Sequence, residues 1–421
     1  MRHKSHKKHY LSQKTRQERK ILAMLAFFSV SVGLWENFRQ LWLQDNGFSA
    51  TDVSTVTSIA TFLSIAGVIF VGRKLRMRHL SSFMAFILGL KLVDLILLLG
   101  LNQDSSRIIL NLCTSIDIIT SYLIVASVYP LITMVMKNNH VYSKRKLVEY
   151  IFRDVGVLVG SIAIGFQAIN LSINYTFCLI ISITFLIFSL LIMFDIHITP
   201  TEREPNRKIS ITKYITHNRL QTFYMLYAFL AATSFAAALG LKMLVLTNYL
   251  NFSPNTGTNY LLIVGLLSDF IGAIALKYFT PKNDYVTITL KFSIRLVAYI
   301  IAVIADNPFV SLLAITWSIL ISTAYENVSD GCYINLVDNQ HQFSYSTIKH
   351  VMTYLGEAVG MMLCGWMYNY GVSYIFGLSA LITCVQLAVA YYLIYLRHSR
   401  RRIRHSASRM RYSKRLVDNE D

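Results

Sequence analysis

Twelve apolar segments of membrane-crossing length run through this chain of 421 residues. A bilayer core about 30 Å thick requires roughly 20 mostly apolar residues per helix. The segments, numbered spans 1 to 12 in chain order, are predicted at residues 21–43, 51–71, 81–102, 108–133, 147–169, 174–195, 220–246, 258–278, 286–304, 308–329, 349–370 and 373–396. Inside lipid, a crossing segment satisfies its backbone by forming a helix. The sequence therefore predicts an all-α, polytopic membrane protein.

The composition supports a lipid environment and excludes several classes of function. Hydrophobic residues make up 54% of the chain and charged residues only 15%, against roughly 25% charged in a soluble domain. The formal net charge of +18 is concentrated in the two ends and the short loops, so it does not indicate nucleic-acid binding. The five cysteines are scattered and form no CxxC pair, so no metal site, cofactor or disulfide framework is predicted.

Two glycine-rich stretches repeat the same spacing 200 residues apart. The stretch VGVLVGSIAIGF in span 5 and the stretch LGEAVGMMLCGW in span 11 align glycine for glycine, and Lys91 and Lys291 share the register. The aligned glycines are Gly156, Gly160, Gly165, Gly356, Gly360 and Gly365. Chance alignment of glycines in apolar sequence is the alternative. A shared register over this distance indicates a two-fold repeat of membrane helices, which is typical of secondary transporters.

Basic residues predict how the spans are oriented. The loops after spans 2, 4, 6 and 8 and the start of span 11 are basic, whereas the opposite loops contain only Arg107. Cytoplasmic loops carry the excess of Lys and Arg, so both termini are expected in the cytoplasm. The predicted parts are a basic tail (1–20), a six-span half (21–195), a cytosolic central loop (196–219), a second six-span half (220–396) and a basic tail (397–421). Because six is even, the halves form a parallel repeat.

This organisation resembles the major facilitator superfamily, in its bacterial type. The match covers nearly the whole chain, through twelve helices in two parallel halves and a basic central loop. The loop after span 2 is similar to the family motif at Gly72, Arg73, Lys74 and Arg76, but it lacks the acid and the second glycine. In span 5, Ser161 replaces the proline of the drug/proton antiporter motif, and span 4 carries an acid where that branch has a basic residue. These departures argue against that branch.

The resemblance implies a central cavity lined by spans 1, 4, 7 and 10, with the two halves rocking around it. It places spans 5 and 11 between the halves, so the six aligned glycines are expected to serve inter-half packing. Arg73, Arg76, Arg153 and Asp154 lie near the predicted cytoplasmic surface, and they are the candidates for a cytoplasmic gate.

Polar and ionisable side chains at membrane depth are the candidates for substrate binding and coupling. An ionisable residue there costs on the order of 2.5–3.5 kcal/mol and is a functional candidate by default. The candidates are Glu36, Asn37, Arg39 and Gln40 in span 1, Asp117 in span 4, Glu326 in span 10 and Glu357 in span 11. Span 1 presents its polar residues as a stripe, and Asp117 is a mid-span carboxyl without a cation nearby in sequence.

Structural pairing is the alternative interpretation of these charges. Glu36 and Arg39 are three residues apart, a spacing that allows them to pair, and Lys91 and Asp94 have the same spacing and are expected to pair. Asp117 has Arg39 or Lys91 as an alternative partner on another span. A gate or a charge at the membrane surface is the alternative for Glu326.

The leading functional hypothesis is a secondary active transporter in the cell membrane that moves a small solute by alternating access. Coupling to protons or another ion is expected, with efflux favoured slightly. An uncoupled facilitator, a lipid flippase, a membrane-embedded enzyme and a sensor or immunity protein of the same fold are the alternatives. No catalytic or phosphate-binding motif is present, so the chain is not expected to be an enzyme. The expected partners are the solute and membrane lipids, with the protein acting as a monomer and without nucleic acid.

Overall fold

The computed structural model describes residues 2–73, 79–101, 105–135, 152, 155–156, 175–196, 219–278, 284–305, 307–320 and 342–417. Helices account for the regular structure in this part of the chain, which contains no strand. Seven of the described helices are long and apolar enough to cross a membrane. The prediction of an all-α, polytopic chain is confirmed.

The described helices follow the predicted spans closely. They are Arg2–Asp45 (span 1), Ala50–Arg73 (span 2), Leu80–Leu99 (span 3), Arg107–Val135 (span 4), Tyr175–Phe194 (span 6), Arg219–Leu239 with Lys242–Leu244 (span 7), Pro254–Tyr278 (span 8), Asp284–Ala305 (span 9), 308–320 (span 10), Gln342–Tyr368 (span 11) and Val372–Val417 (span 12). The first and last helices continue well beyond their apolar segments into the basic tails.

Span 7 is interrupted where one continuous helix was predicted. The helix Arg219–Leu239 ends at a turn formed by Gly240 and Leu241, and a five-residue π-helix follows at Val245–Tyr249. A side chain at Gly240 would collide with Met361 of span 11, so the close approach of that span explains the glycine. The interruption leaves the Gly240 carbonyl available to a partner, and the Gln40 amide of span 1 donates to it at 2.8 Å.

Side chains are distributed as expected for a helical bundle in lipid. Large apolar residues such as Phe86, Phe270 and Leu381 are exposed on the outside. Serine and threonine hydroxyls lie between the helices, where hydrogen bonds and close packing replace the hydrophobic effect. Ser58 of span 2 donates to the Ala358 carbonyl of span 11 at 2.7 Å. The helix contacts are thus held by small polar groups within an apolar shell.

The internal repeat is visible as matching hydroxyl pairs. In the first half, Ser31 of span 1 hydrogen-bonds Ser182 of span 6, with 2.7 Å between the two oxygens. In the second half, Ser234 of span 7 hydrogen-bonds Thr383 of span 12 at 2.6 Å. Both pairs are buried. Spans 1 and 6 therefore pack together in the way that spans 7 and 12 do.

The turns entering spans 2 and 8 repeat as well. Gly47 and Asn251 both have a positive φ, of 80° and 55°. Two residues later, the Ser49 hydroxyl accepts the Asp52 N–H, and the Ser253 hydroxyl accepts the Thr256 N–H. This is the same helix cap in both places, and it explains the similarity between the sequences GFSATD and NFSPNT.

Spans 2 and 11 join the two predicted halves along their length. Thr51 donates to the Gly365 carbonyl at 3.3 Å near one end of the contact. Near the other end, a side chain at Gly72 would collide with Thr347. Small residues therefore keep these two helices close from end to end.

Candidate functional site

Three charged side chains from three spans meet in the interior of the protein. Asp117 of span 4 is bound at one carboxylate oxygen by Lys91 of span 3, and at the other by Nη1 of Arg39 of span 1, at 2.6 Å. The Asp117 side chain is 1% exposed and the Lys91 side chain 3% exposed. We call Arg39, Lys91 and Asp117 the charge triad. It carries two cations and one carboxylate.

The two cations of the triad are held in different ways. Lys91 donates to the Asp117 carboxylate, to the Asp117 backbone carbonyl at 3.2 Å and to the Ser121 hydroxyl at 2.8 Å, which uses all three protons of its ammonium group. Arg39 has one hydrogen bond to the described residues, from Nη1 to Asp117. Its side chain is also the most exposed of the three, at 12%. The accessible side of the triad therefore belongs to Arg39.

A second carboxyl group lies beside the triad. Asp94 of span 3 is 2% exposed, and its oxygens accept no hydrogen bond of normal geometry from the described residues, although the Cys113 thiol of span 4 is adjacent. Asp94 is within electrostatic range of Lys91, Arg39 and Asp117. Span 6, which also packs against span 3, has no charged residue between Tyr175 and Phe194. The predicted Lys91–Asp94 pair is wrong, because Lys91 reaches across to span 4 instead.

The polar stripe of span 1 is divided between two neighbours. Arg39 faces spans 3 and 4, whereas Gln40 and Gln44 face span 7. The Gln44 amide donates to the Asn248 side chain at 3.4 Å. Glu36 is half-buried, and the surroundings of the Asn37 side chain lie outside the described residues. Arg39 is thus paired with Asp117, in place of the predicted pairing with Glu36.

Glu357 belongs to a polar contact between spans 4 and 11. The Tyr122 hydroxyl is within hydrogen-bonding reach of the Glu357 carboxylate and of Thr61 in span 2. The Tyr122 and Tyr354 rings pack edge to face with centroids 4.4 Å apart, and the Tyr354 hydroxyl donates to the Tyr122 carbonyl at 3.3 Å. Tyr122 follows Ser121, whose hydroxyl accepts a hydrogen bond from Lys91. This contact therefore connects the region of the triad to the second predicted half.

The aligned glycines pack differently from the prediction. A side chain at Gly156 would collide with the Val30 carbonyl of span 1. In the second half, a side chain at Gly356 would collide with the Phe229 carbonyl of span 7, and one at Gly360 with the Thr233 carbonyl. These contacts lie within one predicted half, so the assignment of these three glycines to inter-half packing is wrong. The physical reason is that Gly156 faces the backbone of span 1, and that Gly356 and Gly360 face the backbone of span 7.

Gly365 is the described member of the set that does contact the other half. A side chain there would collide with Ser54 of span 2. The remaining predicted site residues lie outside the described residues, or have side chains that do: Gly160, Gly165, Glu326, Arg73, Arg76, Arg153 and Asp154. Their roles stay predictions.

Sequence reasoning missed Asp94 as a member of the site, and it offered Lys91 only as an alternative partner of Asp117. Lys91 was noticed for its alignment with Lys291, and Asp94 was assigned to Lys91 because they are three residues apart. A useful signal was available in the sequence: three membrane-depth charges, Arg39, Lys91 and Asp117, on spans that are neighbours in the resembled fold. An intramembrane cation without a strong local partner is best paired with an intramembrane acid.

No protein-family model matches the sequence, and no curated protein matches it. Among solved structures, the human organic anion transporter MFSD10 (TETRAN) matches with a TM-score of 0.67 at 12% identity, over 90% of this chain and 99% of that chain. The nucleoside transporter NupG matches with a TM-score of 0.63 at 12% identity, over 90% of this chain and 98% of that chain.

The fucose:proton symporter FucP of E. coli, in its outward conformation, matches with a TM-score of 0.62 at 14% identity, over 89% of this chain and 98% of that chain. Identities this low establish a shared fold. The chain is thus an all-helical, multi-pass membrane protein that aligns over nearly its whole length with these structures.

Proposed function

We propose that this chain, which has the fold of the major facilitator superfamily transporters, is a secondary active transporter that moves a small solute across the cell membrane by alternating access. The observation that carries the proposal is the charge triad of Arg39, Lys91 and Asp117. Three ionisable groups from three spans meet in the interior. Charges at this depth are costly to bury and mark substrate or ion pathways.

We propose further that transport is coupled to protons, and that Asp94 is the group that exchanges the proton. The negative charge of Asp117 is balanced inside the protein by two cations, Arg39 and Lys91. Asp94 accepts no hydrogen bond of normal geometry from either cation, since Lys91 and Arg39 are directed to Asp117. Two cations beside a carboxyl group favour its charged form and oppose uptake of a proton. A carboxyl group without such direct partners is therefore the better candidate to take up and release a proton. Asp117, which the sequence offers as a candidate for substrate binding or coupling, is thereby assigned to its alternative, the pairing with Arg39 and Lys91.

We propose the same membrane topology and the same two halves that the sequence predicts. Both termini and the central loop 196–219 are proposed to face the cytoplasm, with residues 21–195 and 220–396 as the two moving halves. Cysteine labelling tests this arrangement: Lys208→Cys and Arg404→Cys should react only after the membrane is permeabilised, and Asn255→Cys should react from outside intact cells. Labelling of Asn255→Cys and Lys208→Cys from the same side would contradict it.

The direction of transport is a separate proposal, and efflux remains the expectation. An everted membrane vesicle and a right-side-out vesicle load solute from opposite sides. Under efflux by proton exchange, solute enters everted vesicles when their interior is acidic. Uptake confined to right-side-out vesicles with an outside-acid gradient would establish import with protons instead.

Reconstitution of the purified chain into liposomes tests the proposed function directly. A pH-sensitive dye inside the liposomes should report proton movement when a transported member of a metabolite library is added, and a protonophore should abolish solute accumulation. Asp94→Asn is expected to lose gradient-driven accumulation while retaining solute exchange. Asp52→Asn, which alters an exposed helix cap, is the matched control. Solute accumulation that ignores both the gradient and Asp94→Asn would indicate an uncoupled facilitator.

A further inference from the structure

We infer that the transported solute is a small organic carboxylate, bound by Arg39, and that its binding is linked to protonation of Asp94. The inference rests on the proposed function and deepens it by naming a substrate class. It follows from three features of the site: which hydrogen-bond donors are free, which charge is in excess, and which neighbouring group can cancel that charge.

The free donors belong to Arg39. A guanidinium has five N–H donors in a planar fork that matches a carboxylate. One amino group, Nη1, binds Asp117 at 2.6 Å, and in the described part of the chain no other partner contacts the guanidinium. Lys91, by contrast, has three acceptors for its three protons. A ligand that enters the site therefore meets Arg39 rather than Lys91.

The excess charge is positive. Arg39 and Lys91 contribute two positive charges and Asp117 contributes one negative charge, so the triad has one uncompensated positive charge. A cationic solute would be repelled by this arrangement, and a neutral solute would leave the charge uncompensated in a medium of low dielectric constant. A monocarboxylate cancels it. Two parallel hydrogen bonds from the guanidinium to the carboxylate would add geometric specificity.

Asp94 is the internal group that competes with such a ligand. Facing it are Lys91 on its own span, Cys113 and Asp117 on span 4, and Arg39 on span 1. When Asp94 is ionised, it supplies the negative charge that the triad lacks. When it is protonated, the site attracts an external anion. Binding of the carboxylate and binding of the proton must therefore strengthen each other, because linkage between two sites is reciprocal.

This linkage has a consequence for coupling. A proton and a monocarboxylate that bind together add no net charge, so the loaded site is as neutral as the empty site with an ionised Asp94, and neither carries an excess charge through the membrane interior. Proton and anion would then move in the same direction. The inference thus favours symport, in contrast to the exchange that underlies the efflux expectation.

Thermal unfolding of the purified full-length protein tests the inference. The probes are three pairs matched in shape but differing in charge: lactate and lactamide, benzoate and benzamide, nicotinate and nicotinamide. At pH 6, at least one carboxylate should raise Tm in a concentration-dependent way while its amide does not. Above the pH at which Asp94 ionises in the free protein, the apparent Kd of that carboxylate should rise by about tenfold per unit, as expected for binding linked to one proton.

Variants assign the effect to residues. Arg39→Gln should abolish the carboxylate shift, whereas Arg219→Gln, which removes the same charge from an exposed position at the start of span 7, should keep it. Asp94→Asn should keep carboxylate binding but remove its pH dependence. If Arg39→Gln does not purify as a monodisperse protein, Arg39→Lys keeps a cation beside Asp117 without the planar fork, and it should weaken binding about tenfold or more.

Several outcomes would overturn the inference. Equal shifts from carboxylates and amides, including no shift from either, exclude a carboxylate site. Binding that survives Arg39→Gln, or is unchanged in Arg39→Lys, excludes Arg39. A different result would contradict the proposed function alone. If a carboxylate binds but no solute moves in liposomes, transport is contradicted while the carboxylate site is supported. Transport of a neutral solute by Arg39→Gln would support the proposed transport function and would exclude a carboxylate as the solute.

Discussion

Lys91 on span 3 directs its ammonium group to Asp117 on span 4, although Asp94 lies one turn away on its own helix. The choice is explained by the number of contacts each acid offers. At Asp117, Lys91 finds a carboxylate oxygen, a backbone carbonyl and the adjacent Ser121 hydroxyl. The result is one acid held between two cations and one acid left at their side, which is an asymmetry that a coupled transporter can use.

Asp117→Asn should destabilise the protein strongly. The change leaves the buried Lys91 and the partly buried Arg39 without a counter-charge, and removal of one partner of a buried ion pair costs about 3–5 kcal/mol. Thermal unfolding monitored by size-exclusion chromatography measures the effect. Asp195→Asn is the matched control, since it removes an acid from a surface pair with Lys20, and such pairs contribute about 0–1 kcal/mol.

A second change should rescue the first. Adding Lys91→Met to Asp117→Asn removes the most deeply buried cation, so the double variant is expected to be more stable than the single variant. A double variant no more stable than Asp117→Asn alone would show that the ion pair is not the source of the loss.

The sequence predicted the helices and the repeat better than it predicted the pairing of charges. Helix positions follow from local apolar runs, and the cap at Ser49 and Asp52 follows from four consecutive residues. The pairing of Arg39 with Asp117 depends on how three helices rotate against each other, and local spacing carries no information about rotation. Spacing of three residues therefore suggested Lys91–Asp94 and Glu36–Arg39, whereas the structure has the alternative that the sequence left open, with both Lys91 and Arg39 paired with Asp117.

Gly360→Leu should destabilise the fold. The added side chain would collide with the Thr233 carbonyl and with Ala236 of span 7, and backbone atoms cannot move aside as a flexible side chain can. Overpacking of this kind costs about 1–3 kcal/mol or more. Gly89→Leu is the matched control, because no atom lies within 4 Å of an added Cβ there. Equal Tm values for the two variants would contradict the packing role of Gly360.

The glycine register illustrates a second limit of sequence reasoning. The alignment of span 5 with span 11 correctly indicated a repeat, and Gly156 packs against span 1 as Gly356 packs against span 7. The alignment could not say which helix each glycine faces. Glycines at the same position of the repeat face equivalent helices. For Gly156 that helix is span 1, and for Gly356 it is span 7.

Tyr122 and Glu357 should show energetic coupling across the two predicted halves. The Tyr122 hydroxyl is within hydrogen-bonding reach of the Glu357 carboxylate, and hydrogen bonds to charged groups contribute about 1.5–3 kcal/mol. A double-mutant cycle of Tyr122→Phe and Glu357→Ala, measured by thermal unfolding, should give a coupling of about 1 kcal/mol or more. The control cycle pairs Glu357→Ala with Tyr260→Phe on span 8, which hydrogen-bonds Thr316 of span 10. Additive effects in both cycles would show that Tyr122 and Glu357 do not interact.

A covalent cross-link between the positions of Gln44 and Asn248 should hold spans 1 and 7 together and stop transport. The two side chains are joined by a hydrogen bond of 3.4 Å at the end of the spans predicted to face outside, and Tyr368 of span 11 accepts from Asn248 at 3.3 Å. Alternating access requires such a contact to open once in each cycle. Gln44→Cys with Asn248→Cys, in a background whose five natural cysteines are replaced, should therefore cross-link with a short thiol-reactive bridge and stop transport.

The single-cysteine variants, treated with the same bridge, control for modification without cross-linking, and a cleavable bridge makes the block reversible. Transport should return when a reductant cleaves the bridge, because the change is confined to one removable contact. The expected loss on cross-linking is nearly complete, since a covalent link prevents the opening step in every molecule that carries it. Full transport by a quantitatively cross-linked protein would show that this contact stays closed throughout the cycle, and that the solute leaves or enters by another route.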